Sequence, residues 1–248
     1  MALKAHSLIR LSAKFSLIIN LLSCRRLRLH FWKPYHLLGR GIKVFLSIGA
    51  ENNYNYDIPT AAYAEEFANY LWEHFLGGQH GLLGSATIDG NGIDFFIKHN
   101  TPDHVDDLAK KLTELREENN AKFYLSASPN CEYDNEPYLS PAIKNGRFDY
   151  IWVQFYNKQY KLCEYDEEYN DPVYLFRTWN TWSSDIPSNS VLFLGLSASD
   201  NAVLNGGYIK PEALKNDGLP TIKQASNYGG VMLWNRYYDV LNDPSYSE

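Results

Sequence analysis

The first fifty residues contain no aspartate or glutamate, yet they hold nine basic residues: Lys4, Arg10, Lys14, Arg25, Arg26, Arg28, Lys33, Arg40 and Lys43. The rest of the chain carries the other 14 lysines and arginines against all 29 acids, a net of −15 within an overall charge of −6. An acidic body of this kind argues against a nucleic-acid surface. Cysteine is scarce: Cys24, Cys131 and Cys163 are too few for a dense disulfide framework. No apolar run reaches the ~18 to 20 residues that a membrane helix requires. Gly-x-Gly-x-x-Gly, Walker, His-Glu-x-x-His and paired-cysteine patterns are all missing, so no cofactor and no metal are expected. The seven histidines are scattered, with His99 and His104 read as surface groups at a helix start. There is no Asn-x-Ser/Thr sequon, which neither supports nor excludes secretion.

The basic front end has three readings. Phe15 to Leu22 is a short apolar run behind Lys4, Arg10 and Lys14, the outline of a signal peptide, but no small-x-small cleavage site follows and Arg25, Arg26 and Arg28 come at once. An acid-free, Arg-rich stretch also suits an organelle transit peptide. The third reading is a wrong gene boundary or a recombined exon, with no selected function. At 248 residues, 45% hydrophobic and 15% aromatic, the chain suits one large domain with a substantial core.

Strand and helix patterns alternate at the spacing of βα units, which argues for a parallel sheet. Lys43 to Gly49 is a continuous apolar run, as expected of a strand buried on both faces. Pro59 to Phe75 reads as a helix with Tyr63, Phe67, Leu71 and Phe75 on one stripe, ended by Gly77-Gly78. Ile88 to Ile97 is the next strand. Its helix begins at Thr101-Pro102 and carries Val105, Leu108, Leu112 and Leu115. Four more strands, Phe123 to Ala127, Tyr150 to Phe155, Val191 to Leu196 and Gly230 to Trp234, are separated by helices near 139–145, 172–182 and 221–226. The count is six βα-like units.

Within Asn91-Gly92-Ile93-Asp94-Phe95-Phe96-Ile97-Lys98, alternation puts Asp94, Phe96 and Lys98 on one face and Ile93, Phe95 and Ile97 on the other. The apolar set belongs to a buried layer, leaving the first set as the working face. An Asp-x-Asp-x-Glu strand end would present three carboxyl groups there. Here the second and third are a phenyl ring and an ammonium.

This strand, together with Gly41-Ile42-Lys43-Val44-Phe45-Leu46-Ser47-Ile48-Gly49, Tyr70-Leu71-Trp72, Phe148-Asp149-Tyr150-Ile151-Trp152-Val153-Gln154-Phe155-Tyr156-Asn157, Phe193-Leu194-Gly195-Leu196 and Tyr228-Gly229-Gly230-Val231-Met232-Leu233-Trp234, resembles glycoside hydrolase family 18. The resemblance is to the plant class III chitinases of the hevamine type and their chitinase-like relatives, the xylanase inhibitor proteins. It runs from about Gly41 to the C-terminus and implies a (β/α)8 TIM barrel of the family 18 type. The barrel is expected to be incomplete, because the first two βα units need roughly 60 residues and only 40 precede Gly41. Two bare sheet edges are the expected result, with Ser16 to Leu22 as one substitute strand. The domain division expected is an unmatched basic segment 1–40 and a barrel domain 41–248.

In the family the substrate's own N-acetyl oxygen attacks the anomeric carbon while a glutamate protonates the leaving oxygen, oriented by the preceding aspartate. By motif position Phe96 replaces that aspartate and Lys98 replaces the glutamate, so no catalytic residue is intact and Asp94 is left alone. An ammonium near a pKa of about 10.4 is a poor proton donor at neutral pH; an ion pair of Lys98 with Asp94 is the bland reading. The resemblance also makes Gln154 and Tyr156 contacts to the sugar's N-acetyl group, makes Trp234 the aromatic floor under the sugar ring, and pairs Cys131 with Cys163 in a disulfide. Two free thiols in a reducing compartment are the alternative. Two departures weaken the groove: the insertion Asn91-Gly92 calls for a bulge or a shifted strand entry, and Ala50 stands at a usual glycine.

The functional expectation is a catalytically inactive chitinase-like protein of plant defence or storage type. It binds carbohydrate, inhibits polysaccharide-degrading enzymes, or does both. Its partners would be a chitooligosaccharide or related polysaccharide bound weakly and a microbial glycosidase, with no nucleic acid and no membrane; its location, by resemblance, would be extracellular or vacuolar. Two alternatives stay open: an endochitinase whose acid comes from elsewhere, such as Asp89, and a truncated product without function.

Overall fold

A computed structural model describes residues 8–11, 14–20, 42–50, 58–77, 91–97, 103–133, 138–156, 163, 165–166 and 171–242. Eight strands form a closed ring in chain order: β1 (Leu8–Leu11), β2 (Lys14–Asn20), β3 (Lys43–Ala50), β4 (Asn91–Ile97), β5 (Phe123–Ala127), β6 (Tyr150–Gln154), β7 (Val191–Ser197) and β8 (Tyr228–Trp234). The six strands read as βα units are β3 to β8, and each is parallel to the next. They are six strands of an incomplete (β/α)8 barrel.

The ring closes by a different device. β1 and β2 form an antiparallel hairpin with two residues between them; β2 runs parallel to β3, and β1 runs antiparallel to β8. The expectation of two bare edges is therefore corrected, because the apolar run near Phe15 pairs with β3 and a second short strand reaches β8. Ladder hydrogen bonds are local and need no helix between antiparallel neighbours, so few residues suffice where two βα units would not fit.

Alternation along β3 to β8 makes two cores. Val44, Leu46, Ile48, Ile93, Phe95, Leu125, Ile151 and Leu194 face the helices. Phe45, Trp152, Tyr156, Phe193 and Met232 fill the barrel interior. Each such side chain contributes about 1.5–3 kcal/mol by leaving water. Under the helix Ala61–Leu71 the buried positions are Ala64, Ala68 and Leu71, while Tyr63 is 45% exposed. The expected stripe of Tyr63, Phe67, Leu71 and Phe75 is corrected on this point. Steps of four residues drift around a helix of 3.6 per turn, and two alanines let the backbone sit close to the sheet.

The next helix starts at Val105, capped by His104 at φ 61°, whose Nδ1 lies 2.7 Å from Asp107 Oδ2. Thr101-Pro102 lies outside the described residues. Val105, Leu108, Leu112 and Leu115 are buried as their spacing predicts. At the strands' N-terminal ends, Asp149 accepts hydrogen bonds from Leu125 N and Arg116 Nη1, both 2.8 Å, and so ties this helix to β5 and β6. The last crossover differs from expectation: short helical turns run over 211–222 instead of a helix at 221–226.

Gly49 shows why the strand ends admit little variation. Its φ is 95°, and an added Cβ would collide with the Phe96 carbonyl of β4. Gly206 has a similar φ of 86° with nothing within 4 Å of the same position. Gly49→Ala should therefore abolish soluble folded protein or depress its melting point far more than Gly206→Ala, whose cost is the roughly 1–2 kcal/mol of a left-handed alanine. Equal melting points for the two variants would refute the close approach of β3 and β4.

Candidate functional site

Parallel register places one layer of polar side chains across three strands. Ser47 of β3 and Ser126 of β5 are both in register with Asp94 of β4. Two residues beyond Ser126, Ser128 returns to the same face. All three hydroxyls donate to the Asp94 carboxylate: Ser47 at 2.9 Å, Ser126 at 2.8 Å, and Ser128 at 3.0 and 3.2 Å to the two oxygens.

Asp94 is 1% exposed, and among the described residues its hydrogen bonds come from hydroxyls and not from a cation. Burial pushes its carboxyl from an ordinary 3.8 up to about 6, against the pull of Ser126, Ser47 and Ser128 toward the charged form. The indole of Trp152 acts in the same downward sense, although its Nε1 makes no hydrogen bond of acceptable geometry. The cradle of serines was absent from the sequence reading. Its signal was there in the alternation Tyr124-x-Ser126-x-Ser128, which follows the period of the strand.

Phe96, the next residue on this face, is 8% exposed, and its ring centroid lies 6.2 Å from that of Trp234 at 37°. An aromatic pair thus spans the interior between β4 and β8. Trp234 and Tyr156 both pack against the interior cluster of Phe45, Trp152, Phe193 and Met232. Gln154 is buried, and its Nε2 donates to Ser128 O at 3.1 Å, which links β6 to the serine that holds Asp94. The structure therefore brings Asp94, Phe96, Gln154, Tyr156 and Trp234 into one interior region at the strands' C-terminal ends.

Lys98, Asp89, His99 and Cys24 lie outside the described residues, as does the side chain of Ala50, so the Lys98–Asp94 pair has no described geometry. Of the two expectations for Asn91-Gly92, a bulge is not found within β4, and the strand's entry before Asn91 lies outside the described residues. From Asn91 onward the strand is in unbroken register with β3 and β5, and the register shift between neighbours falls instead at Leu192/Phe193. Cys131 and Cys163 are joined by a disulfide with Cα atoms 6.0 Å apart. Both are buried, and Trp182 Nε1 donates to Cys131 O at 2.8 Å, fastening this loop to the helix Val173–Asp185. Among the described residues there is no group of three or more metal-ligating side chains, and no helix is long and apolar enough to cross a membrane.

Six parallel βα strands that gather a buried acid, hydroxyls and a tryptophan toward their C-terminal ends define a (β/α)8-type barrel protein. The chain belongs to glycosyl hydrolases family 18, whose family model matches residues 36–204. It is 40% identical over 210 residues to an acidic endochitinase of Arabidopsis thaliana, a match covering 84% of this chain and 66% of that protein. The chain thus spans slightly less than two thirds of that relative's length. Among solved structures it is similar to the ICChI chitinase of Ipomoea carnea, with TM-score 0.73, 40% identity, and 83% and 72% of the two chains covered. It is also similar to the xylanase and alpha-amylase inhibitor protein XAIP-II of Scadoxus multiflorus, with TM-score 0.73, 32% identity, and 84% and 74% covered. The chain is a chitinase-like member of the family.

Proposed function

We propose that this chain is a chitinase-like protein without hydrolase activity, which binds carbohydrate at the mouth of its barrel or inhibits a polysaccharide-degrading enzyme. The observation that carries this reading is the packing of Phe96 against Trp234. A phenyl ring neither holds nor orients a proton, and substrate-assisted hydrolysis requires a positioned acid. Asp94 is 1% exposed and held by three serines inside the barrel. Gln154, Tyr156 and Trp234 are the residues we assign to sugar contact. A tryptophan face suits a pyranose ring because it covers the sugar's C–H surface while the hydroxyls stay wet.

The inhibitor arm of the reading draws support from the likeness to the xylanase and alpha-amylase inhibitor protein of Scadoxus multiflorus. Location outside the cell or in the vacuole belongs to the same proposal, and the buried disulfide suits an oxidising compartment. The division at residue 40 is also part of it: residues 1–40 supply a hairpin of different topology from the barrel units that follow.

The purified chain should release no fluorophore from a fluorogenic chitotrioside. It should still show heat on titration with chitooligosaccharide, lost at least tenfold in Trp234→Ala. Turnover that disappears in Asp89→Ala would establish the endochitinase alternative. No turnover, no sugar binding and no inhibition of a xylanase together would leave the proposal empty.

A further inference from the structure

The helix Ala61–Leu71 and the π-turn Trp72–Leu76 that prolongs it carry one pattern twice. Tyr63-x-x-Glu66-Phe67 returns seven residues later as Tyr70-x-x-Glu73-His74. At about 100° per residue a step of seven comes back to within roughly 20° of its start, so the two tyrosines stand one above the other on the same side of the helix. Within each copy, the residues three and four positions on are the tyrosine's neighbours on the helix surface.

Both copies are built alike in space. Tyr63 stacks on Phe67 with ring centroids 6.3 Å apart and planes at 25°, and Tyr70 stacks on His74 at 4.3 Å and 23°. A second ring thus backs each phenol ring, and the tyrosines are still 45% and 49% exposed. The buried positions of this helix are Ala64, Ala68 and Leu71. The core therefore makes no use of the two tyrosines.

Charge follows the same period. Glu65, Glu66 and Glu73 are exposed, and none of them has an ion pair among the described residues. Ile58 to Gly77 holds no lysine or arginine. Lys110 and Lys111 of Val105–Glu118, the helix packed alongside, are paired with Glu114. Glu66 and Glu73 each lie one turn from an exposed tyrosine, uncompensated, while Glu65 falls on the other side of the helix.

Seven residues of helix rise about 10 Å. In a β-1,4-linked pyranose chain each sugar is turned over relative to the last, so sugars one and three present the same ring face over a like distance. The C–H face of such a ring covers an aromatic side chain while its hydroxyls stay wet. A bare carboxylate beside each platform then favours a sugar that carries positive charge.

We infer that this flank is a second sugar-binding surface, for a β-1,4-linked glucosamine chain with free 2-amino groups. Sugars one and three lie on Tyr63 and Tyr70, and their ammonium groups pair with Glu66 and Glu73. The surface is on the outside of the barrel, apart from Trp234, and does not rest on the function proposed for the mouth.

Calorimetry on the full chain at about pH 5.5, where glutamates are ionised and the amines protonated, tests the inference. The glucosamine trisaccharide should bind at least about tenfold more tightly than the disaccharide, because only the longer chain reaches both rings. It should also bind at least about tenfold more tightly than cellotriose, a neutral chain of the same linkage. Tyr70→Ala should bring the trisaccharide down to the disaccharide's level, and Tyr70→Phe should keep the native affinity. Glu66→Gln together with Glu73→Gln should bring it down to the level of cellotriose. No binding of the trisaccharide, or equal affinity for trisaccharide and disaccharide or for trisaccharide and cellotriose, would overturn the inference. So would binding kept in Tyr70→Ala, because the sugar would then sit elsewhere, the barrel mouth included. A dimer of the chain that Tyr70→Ala disperses would give the face to a second copy and overturn it as well.

Discussion

The unfolding free energy of the native protein minus that of Asp94→Asn should be larger at about pH 4.5 than at about pH 7.5. The sign follows from the direction of the Asp94 shift. Its folded carboxyl titrates at about 6 against 3.8 when free. Between those values the folded state holds a proton that the unfolded state has lost, so acidification favours folding. The stabilisation is complete below the unfolded value, fades as pH rises through about 6, and is gone above it. A gap of roughly two units corresponds to an effect on the order of 3 kcal/mol.

Every other ionisable group is common to both proteins and cancels in the difference. The quantity to measure is the wild-type minus Asp94→Asn unfolding free energy across the pH range. A flat difference would mean that the hydroxyls of Ser47, Ser126 and Ser128 outweigh desolvation and keep the carboxylate charged throughout. A mildly acidic optimum suits a wall or vacuole location, so the same curve bears on the proposed compartment.

The second large effect concerns the Cys131–Cys163 disulfide, which closes a loop of 32 residues. Constraining a loop of that length in the unfolded chain is worth about 3–4 kcal/mol in the loop-entropy account. Replacing Cys163 by alanine should cost that much or more, since both cysteines are buried and the Cys131 carbonyl anchors Trp182. For a domain of this size that is a loss of roughly 10 °C in Tm. Wild-type protein melted in reductant should reproduce the value, and the Cys163→Ala variant should be insensitive to reductant. Identical melting of reduced and oxidised protein would show that the loop is held by packing alone.

Much of the scaffold was legible in the chain. Continuous apolar runs such as Lys43 to Gly49 are strands whose both faces are covered, and alternation alone put Asp94 and Phe96 on the face opposite Ile93, Phe95 and Ile97. Local pattern failed where distant parts of the chain decide. Tyr63 reads as core by spacing, but the alanines at 64 and 68 fit closer to the sheet. Leu8–Leu11 has too little periodicity to announce a strand, and it becomes one because β8 offers an unpaired edge.

The residue types at the strand ends, and hence the absence of an acid at position 96, were fixed by sequence, because side-chain chemistry is a local property. The tertiary structure alone decided what that chemistry meets. It set three serines from two other strands around Asp94, moved its proton affinity by removing water, and laid Phe96 against a tryptophan that lies 138 residues away in the chain. Register between neighbouring strands carries this information, and no single segment contains it.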